Sequence, residues 1–72
     1  MIGKPIRICH GQYAGQPGTY WAWPVDGYYD LHHARPGVQP DGSDVVSECH
    51  ATLAEARQEA RERVDLDRWA AL

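Results

Sequence analysis

Every cysteine and histidine in this chain sits in a dipeptide: Cys9-His10, His32-His33 and Cys49-His50. Thiolate sulfur and imidazole nitrogen are the ligands that zinc prefers, four at a time in a tetrahedron. Cys9, His32, His33 and Cys49 are therefore the candidate metal ligands, and a zinc-stapled structural module is one alternative reading. The usual ligand spacings are absent, with no Cys-x-x-Cys and no His-x₃-His. Adjacent residues of a strand also point to opposite faces, so each dipeptide splits its two donors. The bland alternative is a buried cysteine acting as a small hydrophobe, with histidines on the rim. A cysteine paired with a histidine base would be a nucleophile, and Cys9 or Cys49 could meet His32 or His33, but no local pattern singles out such a pair. The glycines between positions 11 and 18 join two strands and lack the lysine of a phosphate-binding loop. Asp26, Asp30, Asp41 and Asp44 fall around turns, where turn chemistry explains them. The expectation is a non-enzymatic chain with no cofactor and no resident metal.

A chain of 72 residues makes one domain, residues 1–72. At this size the buried fraction is modest, and a staple, a partner or very good packing is needed. The formal charge of -3 argues against a dedicated nucleic-acid binder, which normally carries a basic face. No apolar run reaches the roughly 20 residues of a membrane helix, and the start of the chain has no signal-peptide pattern. A cytoplasmic protein with free thiols and no membrane partner is expected. One lysine stands against six arginines, and asparagine and phenylalanine are missing. That bias suggests GC-rich coding, as in an actinobacterium or one of its phages; the size and lack of chemistry fit a small regulatory or host-interaction protein, phage-encoded.

The elements that would position these residues read as four strands and a helix. Residues 5–10 alternate as a strand, with Ile6, Ile8 and His10 on one face and Arg7 and Cys9 on the other. Residues 11–17 form a glycine-rich corner. Residues 18–24 are a second strand, apolar on both faces. Asp26-Gly27 is a hairpin signal, and residues 28–33 follow as a third strand with Tyr29, Leu31 and His33 on one face. Residues 35–44, rich in proline and glycine, read as a surface loop. Residues 44–50 make the fourth strand, with Val45 and Val46 facing oppositely. Thr52-Leu53-Ala54-Glu55 fits a capping box. Leu53, Ala56, Ala60 and Val64 then recur on one helical stripe. The fold class expected is α+β: a small antiparallel β-meander or SH3-like barrel of about four strands over residues 5–50, then one C-terminal α-helix and tail over residues 52–72.

Six aromatic residues crowd between positions 13 and 29. Tyr20, Trp23, Tyr29 and Leu31 are expected inward; Tyr13, Trp21 and Tyr28 are expected outward. Exposed Trp and Tyr are enriched at contact hot spots. The candidate binding residues are Tyr13, Trp21, Tyr28 and His32, with Arg35 at their edge, and the expected partner is a protein. Trp69 and Leu72 in the tail could cover that surface, pack beneath the sheet or make a homodimer contact.

The run Ile6-Arg7-Ile8-Cys9-His10-Gly11-Gln12-Tyr13-Ala14-Gly15-Gln16-Pro17-Gly18 resembles the KOW motif of ribosomal and NusG-type transcription proteins. The resemblance spans residues 5–33 and rests on Ile6 and Ile8, on Gly11, Gly15 and Gly18, and on Tyr29-x-Leu31. It implies an SH3-like barrel whose first loop binds RNA or protein. Gln12, Tyr13 and Gln16 would decorate that loop. Binding to RNA, to the ribosome or to a transcription complex is the alternative partner reading. The loop's lack of charge sets it apart from family members that neutralise phosphate with lysine or arginine.

Overall fold

The computed structural model describes residues 3–70, with side chains through residue 66. Four strands, β1 (Ile6–His10), β2 (Thr19–Val25), β3 (Tyr28–Ala34) and β4 (Val45–His50), precede a helix, α1 (Leu53–Ala70). The strands pair antiparallel in chain order. The sheet is open: it is a meander capped by a helix and does not close into an SH3-like barrel. A closing strand would have to follow β4, and the capping box starts α1 there instead.

The hairpins follow from local sequence. Asp26 and Gly27 link Val25 to its partner Tyr28. Only Gly27 takes positive φ, 81°, so this is not the type I′ turn that needs positive φ at both positions. That geometry occurs inside the glycine corner. Ala14 (φ 53°) and Gly15 (φ 80°) make a turn closed by reciprocal backbone bonds of 2.9 and 3.0 Å between Tyr13 and Gln16. Gly11 and Gly18 are needed for close approach. A methyl on Gly11 would collide with Val64 on α1, and one on Gly18 with the Ala34 carbonyl and the His33 ring.

The core lies between the sheet and α1. Tyr20, Leu31 and Ala60 are buried at its centre, with Ile8, Cys9, Val46 and Val64 packed around them. Burying Tyr20 and Leu31 stabilises the fold by roughly 1.5–3 kcal/mol each. The expected stripe of α1 holds: Ala56 and Ala60 are buried, Leu53 and Val64 half-buried. Small alanines let the helix lie close to the aromatic strand. Its start is locked by the box: the Glu55 N–H donates to Thr52 Oγ1 (3.2 Å), while Glu55 Oε2 accepts from the Ala51 N–H (2.9 Å). Half-buried Arg63 of α1 reaches Glu59 at 3.0 Å and lies over the Tyr13 ring. No helix among the described residues is long and apolar enough to cross a membrane.

Strand β1 departs from the expected alternation. Arg7 pairs with Trp21 and Cys9 with Tyr20, which leaves Ile8 as the extra residue of a bulge. Ile8 and Cys9 therefore both pack toward the helix. His10, expected beside Ile6 and Ile8, instead bonds Thr19 Oγ1 through Nδ1 at 3.0 Å. The tail contacts expected of Trp69 and Leu72 lie outside the described side chains.

Candidate functional site

The helix covers one face of the sheet, and the second face is where the candidate residues concentrate. Pairings across the β2–β3 hairpin put Trp21 opposite His32, Trp23 opposite Asp30 and Val25 opposite Tyr28. Because strand residues two apart share a face, Trp21, Trp23, Val25, Tyr28, Asp30 and His32 all belong to this second face.

The loop of residues 35–44 divides that face into a covered and an open half. Its far end is pinned by a buried contact in which His32 Nδ1, 2.7 Å from Asp44 Oδ1, donates to the carboxylate. The Asp44 carbonyl accepts from the His33 N–H at 3.1 Å, and Asp44 Oδ2 accepts from the Asp41 N–H at 3.3 Å. Asp41 in turn takes both the N–H and the hydroxyl of Ser43, at 2.9 and 2.7 Å. These bonds hold its carboxyl below the ordinary aspartate value, the side-chain bond from Ser43 contributing most. Val38 N–H closes the loop's first turn on the Arg35 carbonyl.

Under this arrangement two predicted contact residues are interior. Trp21 is 9 % exposed and His32 only 3 %, which corrects the expectations that Trp21 faces outward and that His32 is a contact residue. Trp21 cannot lie outward while Trp23 lies inward, because the two share one face. Gly37, Val38 and Gln39 of the loop face Trp21 across a cleft, and Arg7 sits over its ring at 5.6 Å. The Trp21 indole N–H is buried with no acceptor, a situation that costs about 1–3 kcal/mol. Trp23 packs on the His32 ring (5.0 Å between centroids) and donates its N–H to the Gly3 carbonyl at 2.8 Å.

The open half lies toward the Asp26-Gly27 turn. Trp23, Val25, Asp30, His32, Val45 and Glu48 surround a shallow cleft of about 280 Å³, and Tyr28 continues it past Val25. Trp23, Val25, Tyr28 and Val45 are half-buried, and Glu48 is exposed. Acidic groups rim the patch. The Tyr28 phenol is held above its ordinary value, by desolvation first and then by the negative field of Asp30, Cys49, Glu48 and Asp26. The Asp30 carboxylate also accepts from the Cys49 N–H at 3.1 Å, steadying a residue with φ 64°.

Comparison with family models, with curated proteins and with solved structures gave no match.

The remaining predicted residues assemble elsewhere. Tyr13, Gln16 and Arg35 line a separate cleft of about 380 Å³ at the glycine corner, with Pro17, His33 and Val45 among its walls. Tyr13, expected outward, is half-buried: it packs on the core edge and lies 5.7 Å from the His33 ring. Gln12 is exposed, and its carbonyl accepts the Tyr20 hydroxyl at 2.7 Å. The four candidate zinc ligands are not brought together. His32 is tied to Asp44 on one face, while His33 on the other bonds the Gly11 carbonyl through Nε2 at 2.8 Å. Cys9 packs by the helix and Cys49 is exposed on β4. Burial pushes the Cys9 thiol up, partly offset by Arg61. Among the described residues, no group of three His, Cys, Asp or Glu side chains converges as a metal site would require.

Sequence reasoning missed Trp23, Val25, Val45 and Glu48 as contact candidates. The signal for two of them was present. The two-residue turn at Asp26-Gly27 pairs Val25 with Tyr28, and period-two alternation then carries Trp23 to the same face.

Proposed function

We propose that this chain is a non-catalytic protein-interaction module, regulatory in role, which binds its partner through the open half of the second sheet face. The observation that carries this reading is the patch of Trp23, Val25, Tyr28 and Val45 beside a cleft of about 280 Å³, rimmed by Asp30 and Glu48. A half-buried Trp and Tyr supply large contact area at low entropic cost, the composition of interface hot spots. The acidic rim selects the partner's chemistry. It fits a protein segment that presents an apolar anchor flanked by lysine or arginine, and it repels a phosphate backbone.

The test is capture of partners from lysate by the tagged chain, with nuclease, across a salt series, beside a Tyr28→Ala/Glu48→Lys double variant. Both residues lie away from the Tyr20 and Leu31 core, so the variant is expected to fold. The expected result is a protein that survives nuclease, weakens with salt and is lost from the variant. A partner that disappears with nuclease would favour RNA and overturn this reading, as would a partner retained undiminished by the variant.

A further inference from the structure

The covered half of the second face holds a cleft of its own, distinct from the patch above. It measures about 300 Å³ and lies between β1, β2 and the loop, with Arg7, His10, Thr19, Trp21 and Gln39 in its walls. Among the described residues, no carboxylate lines it. Its chemistry is one-sided. The Arg7 guanidinium and the Trp21 indole can only donate hydrogen bonds, and neither has an acceptor among the described residues. Arg7 is in no ion pair among the described residues, and its guanidinium carbon lies over the Trp21 ring, 5.6 Å from the centroid. Trp21 is 9 % exposed, and its N–H is buried and unpartnered. The Gln39 amide can turn its NH2 donors toward a ligand, though its carbonyl oxygen is also an acceptor. The Thr19 hydroxyl and His10 Nδ1 already satisfy each other at 3.0 Å.

We propose that this cleft binds a carboxylate group. A planar guanidinium fork held over an aromatic ring is suited to a planar carboxylate, which it grips through two parallel N–H bonds. The Trp21 N–H supplies a third donor from the floor. The opposite wall is the exposed stretch 37–39, where Gly37 has φ 77° and Val38 is 46 % exposed. That stretch must lift for an oxygen to reach the indole. The carboxylate has two sources: a free small organic acid, or an acidic side chain or C-terminus of a polypeptide. This inference does not depend on the partner patch at the other end of the face.

The test is ¹H–¹⁵N spectroscopy of the full chain, following the assigned Trp21 indole N–H during titration with succinate and, separately, with an acidic peptide. The expected result is a saturable downfield shift of that resonance together with residues 37–39. Arg7→Gln should weaken binding at least about tenfold, as loss of a charge-assisted bidentate pair does. Arg7→Lys, which keeps the charge and loses the fork, should fall between. Arg35→Gln, outside the cleft, should bind as the parent does. A response to succinate identifies a free acid as sufficient; a response to the peptide alone identifies a polypeptide carboxylate. No saturable shift with either ligand, or a shift that Arg7→Gln leaves unchanged, overturns the proposal.

Discussion

Gly15 and Gly18 look alike in sequence and differ in what a side chain would meet. Gly15 has positive φ and open space around it, whereas Gly18 is boxed in by the Ala34 carbonyl and the His33 ring. Gly18→Ala must move backbone as well as side chain, an overpacking that costs about 1–3 kcal/mol. Gly15→Ala meets only the left-handed backbone penalty, roughly 1–2 kcal/mol, and its neighbour Ala14 already tolerates φ 53°. Thermal denaturation should rank Gly18→Ala as the more damaging; the reverse order would mean that the corner is limited by φ rather than by contact. Asp41 gives a second residue-scale test. Its folded value is depressed, so its contribution is present above the ordinary 3.8 and is lost as pH falls through the lower folded value. Ser43→Ala removes the leading cause and should move the Asp41 titration, followed by carboxyl NMR, back up toward 3.8. An unmoved titration would refute that cause. Some residue placements were legible and others were not. Ala56 and Ala60 followed from helical spacing alone. Cys9 did not, because the bulge that turns it inward is a cross-strand register shift, with Arg7 opposite Trp21 and Cys9 opposite Tyr20, that local alternation does not announce.

At the scale of elements, α1 and the β2–β3 hairpin were readable because their signals are local. Thr52 and Glu55 are three residues apart, and Asp26 and Gly27 are adjacent. The capping box predicts that Thr52→Ala costs about 1 kcal/mol, a fall of roughly 4–8 °C in Tm for a domain of this size. Helicity should be lost in the same single transition. A Tm unchanged within error would show that the start of α1 is held by packing instead. The loop of residues 35–44 was legible as a loop, but its course was not. It faces Trp21 across a cleft, and its end is held where His32 meets Asp44, a contact between a strand and a loop end that no local pattern announces. That one placement moved Trp21 and His32 from the expected surface to the interior. It also left the contact patch to Trp23, Val25 and Tyr28.

For the whole molecule, an α+β fold in which one helix covers one face of an open meander leaves the other face to be accounted for. Sequence reading left barrel and meander both open, since they share the same strands and helix and differ in whether the sheet closes. The loop accounts for one half of the second face, over Arg7, Trp21 and Thr19. The other half is aromatic, acid-rimmed and open, and it is the surface assigned here to a basic, apolar-anchored protein partner. The most direct measurement is hydrogen–deuterium exchange of the chain alone and in complex with its captured partner. The account predicts new protection concentrated at residues 23–30 and 45–48, with the outer face of α1 unchanged. Protection confined to the glycine corner at residues 11–18, or to α1, would contradict it.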